Sequence, residues 1–131
     1  MVSIPPEARQ IFEDKNFAFV ATVNKDGSPQ VTPTWVDVQG DQILVNVATT
    51  RQKYKNVKRD PRIAIGIVDQ NNPYKAVMVR GKVISIEKGG RADPHIDKMA
   101  KKYIGQDKYP FRQPNEERVL LTIEPTKITL R

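Results

Sequence analysis

The chain has 131 residues, of which 38% are hydrophobic and 28% are charged, and its formal net charge is +7. This length and apolar content predict one packed domain over residues 1–131 and exclude a disordered chain. The absence of cysteine excludes disulfides, thiolate metal ligands and a cysteine nucleophile. The positive charge favours an anionic partner, which could be nucleic acid, anionic lipid or a phosphorylated small molecule.

The first residues predict a short helix and show no targeting signal. Pro5 and Pro6 suit a first helical turn, Ser3 can cap it, and the helix should end near Lys15. The segment lacks a basic stretch followed by an apolar core, and no apolar run approaches bilayer length. We therefore expect a cytoplasmic protein without a membrane segment.

From residue 17 onward the pattern changes to strands and hairpin turns. Residues 17–23 are rich in aromatic and β-branched side chains, and the Asp-Gly pair within residues 24–28 is typical of a hairpin turn. The next strand, over residues 30–38, should return antiparallel to the first. A second turn then leads to a third strand over residues 43–48.

Residues 51–60 interrupt the β pattern with a predicted short basic helix, which Thr49 or Thr50 could cap. Strands follow at residues 63–68 and at about residues 75–87. The isolated Gly81 within the second of these predicts a bulge, a bend or a close approach by another group.

The rest of the chain completes the predicted architecture. A helix is expected over residues 92–103, and two last strands, 118–123 and 126–130, should be divided by Pro125. Six or so antiparallel strands with two or three short helices predict a mainly β fold. Rolling the sheet into a closed or nearly closed barrel would hide its edges.

The most informative segment is the strand-to-helix junction at residues 45–53, with the sequence VNVATTRQK. Unpaired backbone N–H groups at a helix start, together with Arg51 and Lys53, can form a cradle for one phosphate. In the alternative interpretation, Thr50 only caps a helix whose lysines face solvent. The local pattern by itself favours this alternative.

A second segment, DGSPQVTPTW at residues 26–35, contains a proline inside a strand. Pro33 cannot donate to the ladder, so the strand could present Thr34 and backbone groups to a ligand. Trp35 is interpreted as a core residue, and Phe17 and Phe19 also lie in patterns typical of core.

These segments, in this order, resemble the pyridoxamine 5′-phosphate oxidase-like flavin-binding family. The similarity includes TTRQK, the basic helix and RDPRIAIGI, and it continues through VRGKV and the final IEPTK. The chain is most similar to the compact subgroup that includes deazaflavin (coenzyme F420)-dependent reductases. The resemblance spans nearly the whole sequence.

The resemblance implies a split β-barrel of Greek-key type, forming a homodimer with FMN or coenzyme F420 at the subunit interface. Arg51 and Lys53 would hold the cofactor phosphate, with help from Thr49 and Thr50. The ribityl chain and ring edge would contact Val31, Thr32, Pro33, Thr34, Asn46, Val47 and Ala48. The other subunit would contribute Tyr74, Val77 and Val79.

The resemblance also implies an oxidoreductase that moves hydride between the cofactor and a small organic substrate. We assign no catalytic acid or base and no metal ligand, and we interpret His95 as a surface or helix-face residue. The sequence ends at Arg131 without the further carboxy-terminal segment of true pyridoxamine-phosphate oxidases, so we do not expect that activity.

Two alternatives stay open at this point. The protein could carry or sense a flavin or haem without turnover. The sequence does not separate this from an enzyme, since neither function requires a diagnostic acid or base. It could also be a basic β-barrel that binds nucleic acid, but aromatic residues make up only 7% of the chain and strand-binding barrels need exposed stacking rings.

Overall fold

The computed structural model describes residues 2–131, and within that range the chain forms three helices and seven strands. The helices are α1 (Pro6–Glu13), α2 (Gln52–Arg59) and α3 (Ala92–Ile104), and none of these described helices is long and apolar enough to cross a membrane. The strands are β1 (Ala18–Val23), β2 (Pro29–Thr34), β3 (Asp37–Gln39), β4 (Gln42–Ala48), β5 (Arg62–Asp69), β6 (Asn72–Lys88) and β7 (Arg118–Leu130). The mainly β prediction is confirmed.

The strands form a single antiparallel sheet whose order forces it to roll. The order is β2-β1-β5-β6-β7-β4-β3, so β2 and β3 lie at opposite edges. Only Trp35 and Val36 join these two strands. The Cα atoms of Thr34 and Asp37 can therefore be at most about 11 Å apart. The two edges must therefore approach each other, which makes the sheet a barrel split between β2 and β3.

The interior of the rolled sheet is filled by one face of each long strand. Val20, Val45, Ile65 and Ile123 are each at most 2% exposed and belong to the same apolar cluster. Helix α1 adds buried side chains to this cluster, including Phe12. Alternation of buried and exposed residues along β1 and β5 explains why the sequence showed strands there.

Several predicted boundaries differ from the observed ones. The strand expected over residues 30–38 is two strands, because the chain leaves one sheet edge at Trp35 and joins the other. The first residue of α1 is Pro6, with Pro5 rather than Ser3 at the N-cap. At α2 the N-cap is Arg51 rather than a threonine.

The last two predicted strands are continuous. Pro125 lies inside β7, opposite Gly81 of β6, at a point where the register of the ladder shifts. A residue without an N–H is tolerated at such a shift because regular pairing is already interrupted. The irregularity predicted at Gly81 is therefore confirmed, and Pro125 does not divide the strand.

Candidate functional site

A cleft of about 510 Å³ lies between the edge strand β2, the end of β4 and the start of α2. Its volume falls within the range of about 300–1,000 Å³ that is usual for small-molecule sites. Residues of α3, β7 and the segment between them also line it. The lining residues are Phe17, Gln30, Thr32, Pro33, Thr34, Trp35, Asn46, Val47, Ala48, Thr50, Arg51, Gln52, Lys53, Ile96, Tyr109, Phe111 and Arg118.

One end of the cleft is cationic, and Lys53 is at its centre. The side chain belongs to the first turn of α2, is only 7% exposed, and donates a hydrogen bond from Nζ to Thr32 Oγ1 at 3.1 Å. Arg51, at the N-cap of the same helix, lines the cleft beside it. Strand β2 and helix α2 thus place an ammonium group against a hydroxyl inside the cleft.

The electrostatics of this end suit a bound anion. Burial lowers the pKa of Lys53 to about 8, and the positive charges of Arg51 and Arg118 act in the same direction. Within residues 2–131, none of the residues lining the cleft is an aspartate or a glutamate. A phosphate would supply a negative charge beside Lys53, so the donor set fits a phosphorylated ligand.

Arg118 is a further residue of this end, and the sequence analysis missed it. Its Nε donates to Asn46 Oδ1 at 2.9 Å, its Nη1 pairs with Glu116 at 3.1 Å, and its guanidinium lies 5.1 Å from the Tyr109 ring centroid. The register of β4 and β7 sets Arg118 opposite Ala48. That pairing joins residues 70 positions apart, so no local pattern could have revealed it.

The other end of the cleft is aromatic. Trp35 stacks on Tyr103 with a 5.3 Å centroid distance and a 4° interplanar angle, and it contacts Tyr109 edge to face. Phe17 is 52% exposed beside them, so its interpretation as core was wrong. Trp35 is half-buried and lines the cleft instead of lying wholly in the core.

Phe19 also differs from its interpretation as core. It is 52% exposed and lies on the outer face of β1, away from the cleft. His95, by contrast, is only 8% exposed, so it is a buried helix-face residue and not a surface one.

The structure brings most of the sequence-predicted site residues together and separates the others. Thr32, Pro33, Thr34, Asn46, Val47, Ala48, Thr50, Arg51 and Lys53 all line the cleft. Thr49 follows β4 outside the lining and donates its backbone N–H to Glu117 O. The remaining four lie elsewhere: Val31 on the outer face of β2, Tyr74 on β6 at 90% exposure, and Val77 and Val79 within the apolar core. The assignment of all these residues to a cofactor stays a prediction.

Lys53 predicts a pH dependence of stability. Its pKa is about 8 in the folded chain and 10.5 when unperturbed, so between these values the unfolded chain binds more protons. The free energy of unfolding should therefore rise with pH, by about 2 kcal/mol from this group between about pH 7.5 and 9.5. Lys102 has the same lowered pKa, caused by burial, and should add to the rise.

Urea unfolding of the ligand-free protein at both pH values measures this effect. A Lys53→Met variant should keep only the part of the rise that comes from Lys102. An equal rise in wild type and variant would show that Lys53 is not the cause.

Comparison with known proteins gives close matches over the whole chain. The profile of the family described as pyridoxamine 5′-phosphate oxidase matches residues 4–131. A solved F420 reductase is 30% identical with a TM-score of 0.81, and the match covers 96% of this chain and 98% of that one.

Two more distant structures share the fold. The Mycobacterium tuberculosis protein Rv2991 is 22% identical, with a TM-score of 0.77 and coverage of 99% of this chain and 85% of that one. HupZ of Group A Streptococcus is 20% identical, with a TM-score of 0.70 and coverage of 99% and 94%. The profile match and the similarity to the F420 reductase confirm the resemblance seen in the sequence: the chain belongs to the pyridoxamine 5′-phosphate oxidase family.

Proposed function

We propose that this protein is an oxidoreductase that binds FMN or coenzyme F420 in the cleft and acts on a small organic substrate. The observation that carries the proposal is the buried Lys53 ammonium, which lines the cleft beside Arg51 and Arg118. A buried charge without a counter-charge is costly, and a bound phosphate offsets that cost. Membership of the family and the similarity to an F420 reductase support the flavin-type assignment.

The two ends of the cleft match the two parts of such a cofactor. The cationic end, with Lys53, Arg51 and the hydroxyl of Thr32, would hold the phosphate. Trp35 and Phe17 offer flat apolar surface to the conjugated ring. When bound, the cofactor would supply the hydride-transfer chemistry, while the chain binds it, orients it and excludes water.

Two observations favour coenzyme F420 over FMN. The F420 reductase is the relative at 30% identity, and coenzyme F420 is more anionic than FMN, which suits a chain of net charge +7. We therefore place coenzyme F420 before FMN. The cytoplasmic location and the single-domain organisation belong to the same proposal.

Reoxidation kinetics test whether there is turnover. Protein loaded with chemically reduced cofactor is mixed in a stopped-flow instrument with a panel of quinones, enones and nitroaromatic compounds. The proposal expects at least one acceptor to speed reoxidation above the rate of the reduced cofactor alone. If every acceptor leaves the rate unchanged while the cofactor stays bound, the protein is a carrier and the oxidoreductase part of the proposal is wrong.

The homodimer is supported by an apolar face on the outside of the sheet. Phe19 pairs with Gly66 of β5, which pairs with Met78 of β6, and Val31 lies one strand further out. Phe19, Val31 and Met78 are 52%, 60% and 39% exposed. They border a hollow of about 360 Å³ that side chains of a second copy could fill. Exposed apolar surface of this kind is typical of an interface between protomers.

Replacing Val31 with lysine should dissociate the dimer. The charge would be buried without a partner in the interface, which weakens association by several kcal/mol. Light scattering after size exclusion, at about micromolar protein, should show a dimer for wild type and a monomer for the variant. Ile104→Lys, on α3 and away from this face, is the matched control and should stay dimeric. A dimeric Val31→Lys variant would place the interface elsewhere.

A further inference from the structure

A chain of buried polar side chains extends from the cleft to the far side of β4. Arg118 Nε donates to Asn46 Oδ1 at 2.9 Å, Asn46 Nδ2 lies 3.2 Å from His95 Nδ1, and His95 Nε2 lies 3.1 Å from Asp37 Oδ2. All four side chains belong to residues that are only 7–8% exposed. The proposed function uses Arg118, and Asn46 lines the same cleft, but His95 and Asp37 are left without a role.

Each hydrogen in this series of hydrogen bonds can be assigned to one atom. Burial alone would raise the pKa of Asp37, but the hydrogen bond with His95 and the charge of Lys98 outweigh it and lower the pKa to about 2. The carboxylate can only accept, so His95 Nε2 carries the hydrogen between them. Nδ1 faces the amide nitrogen of Asn46, which can only donate, so Nδ1 has the lone pair and accepts from Asn46.

The same reasoning fixes the orientation of the Asn46 amide. One Nδ2 hydrogen goes to His95 Nδ1 and the other to the backbone oxygen of Ala92 at 2.8 Å. Oδ1 must therefore face Arg118, where it accepts from Nε. If the amide turned over, its N–H groups would point at the guanidinium, and both would be donors without an acceptor.

We infer that His95 is a positioning residue, which acts through Asn46 to hold the Arg118 guanidinium at the cationic end of the cleft. The acceptor that His95 supplies is Nδ1, which together with the backbone oxygen of Ala92 selects which end of the Asn46 amide faces Arg118. Only the expected effect on cofactor binding rests on the proposed function. The arrangement of the side chains does not.

Two replacements separate the nitrogens of the imidazole ring. In His95→Asn, Oδ1 lies near the former Nδ1 and can accept from Asn46, while the bond to Asp37 is lost. In His95→Gln, the amide nitrogen lies near the former Nε2 and can donate to Asp37, while the acceptor for Asn46 is lost. Lys101→Gln is the control, because Lys101 is exposed on the same helix and pairs with Asp107.

The first readout is the Arg118 Nε–H signal in ¹H–¹⁵N NMR spectra of the ligand-free protein, identified by its loss in Arg118→Lys. Wild type, the control and His95→Asn should show a protected signal at a similar position. His95→Gln should shift it and speed its hydrogen exchange by about tenfold or more. If His95→Asn behaves as His95→Gln does, or if neither variant changes the signal, the inference is wrong.

The second readout is cofactor affinity. His95→Gln should bind FMN or coenzyme F420 about tenfold more weakly, and His95→Asn should bind within about threefold of wild type. A purely structural role for His95 would lower the unfolding midpoint of both variants without this difference in affinity. Failure of the wild type to bind either cofactor would contradict the proposed function, while the NMR result would still decide the role of His95.

Discussion

Replacing Lys53 with methionine is expected to weaken cofactor binding about hundredfold and, at the same time, to stabilise the ligand-free protein. The loss of affinity follows from removing a charge-assisted hydrogen bond, which is worth about 1.5–3 kcal/mol. The gain in stability follows because a buried ammonium, whose pKa burial lowers to about 8, is replaced by an apolar chain of similar length. Near pH 7 this gain should be about 1–3 kcal/mol.

The two opposite effects are measured by ligand titration and by urea unfolding of the ligand-free protein. Lys55→Met is the matched control, since Lys55 is exposed on the same helix and should change neither quantity much. Arg51→Gln should lose affinity with a smaller gain in stability than Lys53→Met, because Arg51 is exposed and only its repulsion of Lys53 is relieved. A Lys53→Met variant that is less stable and binds normally would show that the lysine has a structural role only.

Replacing Gly81 with alanine should destabilise the fold by about 3 kcal/mol or more. A Cβ atom at Gly81 would lie 2.5 Å from the backbone oxygen of Glu124 and 3.2 Å from Ile123 Cγ2. The backbone oxygen cannot move away without disturbing the β6–β7 pairing, the most extensive in the sheet, at the register shift opposite Pro125. The cost is therefore steric and independent of any ligand.

Gly66→Ala is the control for this replacement. Gly66 also lies inside a strand, but a Cβ atom there has no neighbour within 4 Å among the described residues 2–131. The control should be neutral or slightly stabilising, since glycine weakens a strand interior. Because Gly66 borders the proposed dimer face, thermal unfolding of both variants in the monomeric Val31→Lys background tests the difference, and equal midpoints would contradict the close approach at Gly81.

The parts of the fold that were predictable are those set by local patterns. Residues 43–48 and 63–68 alternate or are β-branched, and the observed strands β4 and β5 contain them. The basic helix predicted over residues 51–60 is present as α2, which begins within TTRQK. It brings Arg51 and Lys53 to the cleft, as predicted. In these segments the residues adjacent in the sequence determine the secondary structure, so the sequence alone predicts it.

The parts that were not predictable depend on distant pairing. Arg118 reaches the cleft because β7 lies beside β4, and Phe17 lines the cleft together with residues of β4 and α2 that are distant in the chain. The buried position of His95 depends on its contact with Asp37, 58 residues earlier in the chain. No window of local sequence contains these relations, so the cationic end and its supporting side chains needed the three-dimensional structure.

The central claim is that the cationic end of the cleft binds the phosphate of a flavin-type cofactor. It is tested most directly by comparing FMN with riboflavin, and coenzyme F420 with the deazaflavin that lacks its phosphate, in titrations followed by Trp35 fluorescence. Trp35 is the single tryptophan of the chain and lines the cleft. For at least one pair, the phosphorylated ligand should bind wild type about hundredfold more tightly, and Lys53→Met should nearly abolish that difference. The account would be contradicted if, for both pairs, binding is equal with and without the phosphate, or if neither cofactor binds.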